Sequence, residues 1–367
     1  MIGKVTKISA GFKVSIDKSI KGVIPLWINA KQDYYYSEGL NILRRNNDEI
    51  IEKYAVDRSL LEKLIGWNAL ARRVLRMEIG MLVELPNGNQ VAVKRKAIIT
   101  RIKGSEQFKI THKIDRGSRP LNLCLAGEKV YWGEYFGNPL RDEVYVYGSE
   151  DGVNWEIVYA FPPKSIRHIH GLFWDKYRNG IWILTGDSNS ESGLWFTKDY
   201  FQSVELVNGG SQKARAVSII MDARGLIVPM DSPKEKNFIQ RYNPDKNLFV
   251  NLKALPGSAF NSYTNNSLSM ISTVVEPSRV NKAQYAEIFA SSDLNNWASV
   301  AKLYTDFWSS LSLKVFRYPE VIFVRSSDKD PDHFYLYCRG VRNFNNRMIV
   351  LKRNGLEACL SDNEVHE

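Results

Sequence analysis

Ser149-Glu-Asp-Gly-Val-Asn-Trp155 and Ser292-Asp-Leu-Asn-Asn-Trp297 carry the same order of residues: a hydroxyl, an aspartate, a tight-turn segment and a tryptophan. Each follows a strand-like run, Val144 to Tyr147 and Tyr285 to Ala290. Two fainter copies lie between them, Thr197-Lys-Asp-Tyr-Phe201 and Tyr242-Asn-Pro-Asp-Lys-Asn-Leu248. The aspartates of the four copies are Asp151, Asp199, Asp245 and Asp293, at steps of 48, 46 and 48 residues. A period in the forties at which strand and turn signals recur means stacked copies of one supersecondary unit.

Carried back one period, the pattern meets the Gly104-Ser105 turn between Ala97-Ile-Ile-Thr100 and Gln107-Phe-Lys-Ile110; carried forward, it meets Asn343-Phe-Asn-Asn346 before Met348-Ile-Val-Leu351. Six units then span residues 80–354, with five as the alternative because the first and last are the faintest. Within one unit the sequence predicts four short strands, such as Leu121 to Ala126, Lys129 to Tyr135, Glu143 to Gly148 and Trp155 to Phe161, separated by Gly, Asn, Asp and Pro. Four strands per repeat of this length is the pattern of an all-β propeller. The S-x-D-G-x-x-W segment at Ser149 resembles the Asp box of sialidases and other BNR-repeat propellers; the Ser292 copy lacks the glycine. That resemblance implies a six-bladed, sialidase-like β-propeller in which the boxes are structural turns. It implies less about activity, because no Arg-Ile-Pro segment precedes the boxes and only Tyr135 and Tyr263 offer counterparts of a sialidase's tyrosine nucleophile. Propeller lyases that act on uronic-acid polymers use histidine, arginine and sometimes a metal, a style the residues below match.

Residues 1–79 lie outside the repeat. Val5, Ile8, Phe12, Val14 and Ile16 alternate as short strands do, and Asn47 to Met77 carries Leu60, Leu61, Leu64, Ile65, Leu70, Val74 and Leu75 at helical spacing. Ser59-Leu-Leu-Glu62 reads as a capping box. A small helical flank docked on the propeller is expected, with residues 355–367 as a C-terminal tail.

The 367 residues are 44% hydrophobic and 25% charged, which suits a folded protein with a large core and excludes a disordered chain. A net charge of +10 and a pI near 9.3 favour polyanionic partners. No run approaches a membrane span, and lysines interrupt the N-terminal apolar runs where a secretory signal would be continuous, so a cytoplasmic location is expected. Cys124, Cys338 and Cys359 are odd in number and lack metal-ligand spacing, as buried thiols would. P-loop, GxGxxG, HExxH and EF-hand patterns are absent, and no nucleic-acid module is present; Lys94-Arg-Lys96 reads as a solvated face. Oligomeric state is left open.

In a propeller the loops into each unit and the loops between second and third strands share one face. On that face the spacing gathers Glu134, Tyr135, Asn138, Asp187, Glu191, Asp231 and Asn237 from the second-to-third strand loops. Arg167, His168, His170, Gln212, Arg215 and Asn261 join them from the loops leading into units. Alternation on a strand puts His168 and His170 of Arg167-His-Ile-His170 on one side, as general base and partner or as two ligands of a divalent metal completed by Gln212, Asp187 or Glu191. Glu134, Asp187, Glu191 and Asp231 are candidates for acid and base in glycoside cleavage. Arg167 and Arg215 suit an anionic sugar, with Tyr135, Asn138, Asn237 and Asn261 as further contacts. The expected function is a carbohydrate-active enzyme that cleaves or remodels an acidic glycan, a hydrolase or a lyase, with no cofactor required and room for a divalent metal at His168 and His170. The alternative is a non-catalytic platform that binds glycan or protein.

Overall fold

The computed structural model describes residues 3–4, 11–46, 49–75, 77–306, 318–327 and 331–364. It is built mainly from four-stranded antiparallel sheets. The first four-strand unit is Val23–Ile28, Tyr34–Glu38, Asn41–Asn46 and Glu49–Val56; the second is Met81–Glu84, Gln90–Lys94, Ala97–Arg101 and Gln107–Lys113. Their outermost strands pair in parallel, Gln107 with Ala55 and Phe108 with Val56, which joins the two into one eight-stranded sheet. The third unit runs from Cys124–Ala126 to Glu156–Phe161. The fourth is His168–Asp175, Gly180–Gly186, Gly193–Thr197 and Glu205–Gly209. The fifth runs from Ile220–Asp222 to Leu248–Leu255 and the sixth from Ala259–Thr264 to Ala298–Tyr304. The seventh takes Glu320–Phe323, His333–Arg339 and Arg347–Lys352 from the C-terminal part and Ile16–Lys21 from the N-terminal part.

The apolar cores lie between units rather than within them. Trp27, Tyr35 and Phe108 join the first and second units, Trp132 joins the third to Val91 and Ile98 of the second, and Trp182 and Leu184 join the fourth to Leu226 and Val228 of the fifth. Tyr34 and Tyr36 of the first unit pack on Val324 and Val350 of the seventh, so the last unit seats against the first. Aromatic and branched side chains standing off both faces of a sheet bury most of their area only when a neighbour stacks there, which gives a propeller-like arrangement. Among the described residues, no helix is long and apolar enough to cross a membrane. The three cysteines are free, and burial pushes Cys124 and Cys338 up to about 12.

Among the described residues the strands group into seven four-strand units, the seventh with Gly3–Lys4 as a fifth strand, where the sequence reading expected six or five. The extra one is residues 23–56, assigned from sequence to the flank; its sequence holds no copy of the S-x-D-G-x-x-W pattern that marked the repeat. The helical periodicity yields only two six-residue helices, α1 (Leu60–Ile65) and α2 (Ala69–Val74). The α1 capping box is present: Ser59 Oγ accepts from Glu62 N at 3.3 Å and Glu62 Oε2 accepts from Ser59 N at 2.7 Å. The same Glu62 oxygen takes the buried Lys94 ammonium at 2.6 Å, so of the Lys94-Arg-Lys96 run Lys94 is not on a solvated face, while Lys96 is exposed. This ion pair, not the apolar stripe, anchors the helix, and Leu60 and Leu64 stand 74% and 64% exposed. Val5, Ile8 and Asn47 lie outside the described residues.

The aspartate turns join third and fourth strands. Asp151 Oδ1 accepts from Val153 N and Asn154 N at 2.7 and 2.8 Å, while Ser149 Oγ accepts from Gly152 N at 2.8 Å. In the second copy Asp293 Oδ1 accepts from Asn295 N and Asn296 N, both at 2.8 Å, and the hydroxyl is Ser291, one residue earlier than the sequence reading placed it. Thr197 and Asp199 make a related turn. At the fourth mark Asn243, not Asp245, accepts the turn amide, from Lys246 N at 3.0 Å. Strand direction alternates within a unit, so these turns lie on the face opposite to the second-to-third strand loops.

Candidate functional site

The inner strand of the fourth unit begins with His168. Its pairing with the second strand runs His168 to Gly186 and Ile169 to Thr185, then resumes at Gly171 with Leu184, leaving His170 as the extra residue of a bulge. A bulge re-aims a side chain that a regular ladder would hold in register. The second strand ends at Gly186, and Asp187 follows at once; a Cβ at position 186 would run into the His170 ring. His168, His170 and Asp187 are thereby brought together from two adjacent strands.

His168 Nε2 and His170 Nε2 are 3.2 Å apart, and Asp187 Oδ1 lies 3.4 Å from the first and 3.3 Å from the second. The other ring nitrogens face backbone carbonyls, His168 Nδ1 at 3.0 Å from Phe136 O and His170 Nδ1 at 3.0 Å from Ala216 O. A carbonyl only accepts, so each Nδ1 carries the proton and, in the neutral ring, each Nε2 presents its lone pair to the other and to the carboxylate. Three acceptors so close require a cation among them, a proton or a metal ion. Ligand bonds of about 2.0–2.1 Å in a tetrahedral site set ligand atoms about 3.3–3.4 Å apart, close to the separations here. The three side chains, whose ligand atoms lie within 4.8 Å of one another, can therefore coordinate a metal and leave a fourth position for water or substrate. Burial pushes the pKa of His170 down, towards the neutral form that binds metals. Burial would raise Asp187, yet its contacts with the His168 and His170 rings, which become donors once protonated, outweigh it and hold this carboxyl well below the usual range.

Arginines ring the same carboxylate. Arg167 Nη1 donates to Asp187 Oδ2 at 2.9 Å, and Arg215 Nη2 lies 3.3 Å from Oδ1. Arg215 Nη1 and Gln212 Nε2 donate to the Asp187 carbonyl at 3.0 and 3.2 Å, so both hold the loop in place. Arg215 Nε also reaches Asp231 Oδ2 at 3.3 Å, while Asp231 Oδ1 is buried with no hydrogen-bond partner within ordinary distance among the described residues. Burial pushes Asp231 up to about 7 against the pull of Arg215, and Glu276 adds to the rise. The Tyr135 ring stands 4.3 Å from that of His168, and burial pushes its hydroxyl up to about 12. Asp187, His170, Tyr135, Arg215 and Asp231 line one cavity of about 630 Å³ on the axis between the units.

Four residues placed on this rim by sequence hold loops instead. Glu134 is buried, takes Arg116 Nε at 2.9 Å and accepts from Tyr145 N at 2.9 Å. Glu191 binds Arg141 and accepts from Ser188 Oγ at 2.5 Å. Asn138 ties Asp142 O at 2.9 Å to Arg167 O at 3.2 Å, and Asn237 donates to Ser232 O at 2.7 Å and Asn281 Oδ1 at 3.0 Å. Asn261 does line the cavity. Glu276, Tyr318, Glu320 and Arg339 line it too and were missed. Glu276 lies in the loop after the second strand of the sixth unit, three residues beyond Thr273, whereas Asp187 directly follows its strand, so the repeat register did not point to it.

No family model and no curated protein sequence matches the chain. Among solved structures it is similar to virginiamycin B lyase from Staphylococcus aureus, at 10% identity over 96% of this chain and 98% of that one, with a TM-score of 0.57. A catalytically inactive histidine-to-alanine variant of that lyase, with quinupristin, gives 10% identity over 90% and 96% of the two chains and a TM-score of 0.52. A chain of a mitotic checkpoint complex gives 8% identity over 94% and 98%, with a TM-score of 0.55. At such identities the likeness is one of fold, shared by a lyase and by a chain of a protein assembly.

Proposed function

We propose that this protein is a seven-bladed propeller lyase that opens an acidic glycan by elimination at the His168–His170–Asp187 rim, the Ser149 and Ser291 turns being its Asp boxes. The observation that carries the reading is the convergence of two Nε2 atoms and one carboxylate oxygen within 3.2–3.4 Å, beside a cavity holding a second, protonatable carboxyl. Elimination fits better than hydrolysis by a pair of carboxyls, because Glu134 and Glu191 are tied to Arg116 and Arg141. A divalent metal held by the three side chains would supply positive charge for a uronate carboxylate, easing loss of the proton on the neighbouring carbon. Ionised Asp231 takes that proton and the carbon–carbon double bond forms as the glycosidic carbon–oxygen bond breaks. Tyr135, protonated at all working pH, gives its proton to the leaving oxygen. Arg167 and Arg215 hold Asp187 and add positive charge at the rim. The lyase of similar fold that loses activity when one histidine is replaced supports histidine-dependent elimination on such a scaffold.

The test is NMR of the purified protein with uronate-rich and sialylated glycans, with and without added divalent metal. Unsaturated-sugar signals that vanish in His168→Ala and on chelation are expected. New saturated reducing ends would replace elimination with hydrolysis, and line broadening without product would favour the binding platform.

A further inference from the structure

The segment between the first and second units, residues 57–80, crosses the face that carries the rim. It leaves the outermost strand Glu49–Val56 and leads into the inner strand Met81–Glu84, and its last residues, Glu78, Ile79 and Gly80, line the axial cavity. α1 is fixed on that face at two points. Just before it, Arg58 Nη2 donates at 2.8 Å to Asn41 Oδ1, where the third strand of the first unit begins. Within it, Glu62 takes Lys94, where the second strand of the second unit ends. Anchored across the second-to-third strand loops of two units, α1 leaves its other side to solvent.

What that side presents is apolar and cationic. Leu60, Leu61 and Leu64 are exposed, and Trp67, at 79%, is the most exposed large apolar side chain among the described residues. Trp67 Nε1 donates to Leu64 O at 3.1 Å, which holds the indole beside the leucines. All other described tryptophans are buried or half-buried. The three carboxylates of the segment turn inward: Asp57 accepts from Gln107 Nε2 at 2.7 Å and from Ile110 N at 3.1 Å, Glu62 is buried on Lys94, and Glu78 pairs with Arg339. Arg58 and Lys63 stay exposed. An exposed apolar patch marks a surface that something covers, and here the charges beside it select the cover.

We propose that α1 and Trp67 dock the protein on an anionic lipid surface. The leucines enter the boundary between headgroups and acyl chains, the indole lies at headgroup level, and Arg58 and Lys63 meet lipid phosphates. A bilayer takes the apolar and the cationic groups at once, and the docked protein turns its cavity towards the lipid. The proposal stands on the segment's own residues and is independent of the rim chemistry.

The experiment is co-sedimentation of the full chain with vesicles of phosphatidylcholine alone and of phosphatidylcholine mixed with phosphatidylserine. Wild type is expected to partition to the mixed vesicles at least about tenfold better. Trp67→Ser combined with Leu64→Gln is expected to lose at least about tenfold of that partition, and Lys63→Gln about fivefold. These side chains are exposed, so melting temperatures are expected to stay at the wild-type value. His168→Ala is expected to bind vesicles as wild type does, so failure of the rim reading would not be mistaken for failure of this one. Equal partition to the two vesicles, no partition, or binding that survives the Trp67 and Leu64 substitutions would each overturn the proposal, the last by reducing it to adsorption of a basic chain. Concentration-dependent dimers that those substitutions abolish, without vesicle binding, would make α1 a contact between copies of this chain instead.

Discussion

Glu134 and Asp187 stand at the same place in consecutive units, directly after the second strand, and their surroundings differ in kind. Glu134 is closed off: an arginine fork covers both oxygens and a backbone amide adds a third bond. Asp187 offers one oxygen to Arg167 and turns the other towards two imidazole nitrogens that cannot donate to it while neutral. A repeat supplies equivalent positions, and what each does depends on whether its partners exhaust its hydrogen-bonding capacity. The substitutions that test this contrast are matched. Asp187→Asn is expected to abolish product formation, by about three orders of magnitude or more, and to weaken metal binding measured by calorimetry. Glu134→Gln is expected to leave most activity and to cost about 1–3 kcal/mol in urea unfolding, because Arg116 loses its charged partner. Equal losses of activity in the two variants would erase the distinction.

Asp231 sharpens the same contrast by pH. Its carboxyl keeps a proton up to about pH 7 in the folded protein, whereas in the unfolded chain it ionises near 4. Between those values the unfolded state binds fewer protons, so stability falls as pH rises from about 4 to 7 and then levels off. Asp231→Asn removes that loss. The variant is expected to match wild type in urea at pH 4 and to exceed it by on the order of 2–4 kcal/mol at pH 8. A difference independent of pH would mean that Asp231 is ionised throughout.

The propeller-like class was legible because turn chemistry is local: Ser149, Asp151 and Gly152 bond within a few residues, and such bonds recur with the repeat. The unit count was not, since the sequence of the first unit holds no S-x-D-G-x-x-W copy and the seventh is assembled from Ile16–Lys21 and strands more than three hundred residues later. The shared side of His168 and His170 followed from strand alternation, but the convergence of Asp187 on them depends on a bulge at His170 and on Gly186 lying against its ring. Neither leaves a mark in sequence spacing. The roles of Glu134, Asn138, Glu191 and Asn237 turned on partners three to fifty residues away, such as Arg141 for Glu191, which composition does not announce.

The two aspartate turns give the smallest test. Gly152 has φ of +72° and Leu294, its counterpart, +64°, so both sit in the left-handed region although only one is glycine. At Leu294 the strain of about 1 kcal/mol is already present in the native protein and is offset by packing against the core between the fifth and sixth units. Leu294→Ala keeps the strain and removes partly buried methyl groups, for an expected loss below about 1 kcal/mol. Gly152→Ala adds the strain, and its new Cβ would run into Val91, so it is expected to cost about 2 kcal/mol in urea unfolding although it changes fewer atoms. If the alanine at 152 proved the milder of the two, backbone conformation would not be what distinguishes the turns, and the glycine of the first would owe its place to something other than its φ.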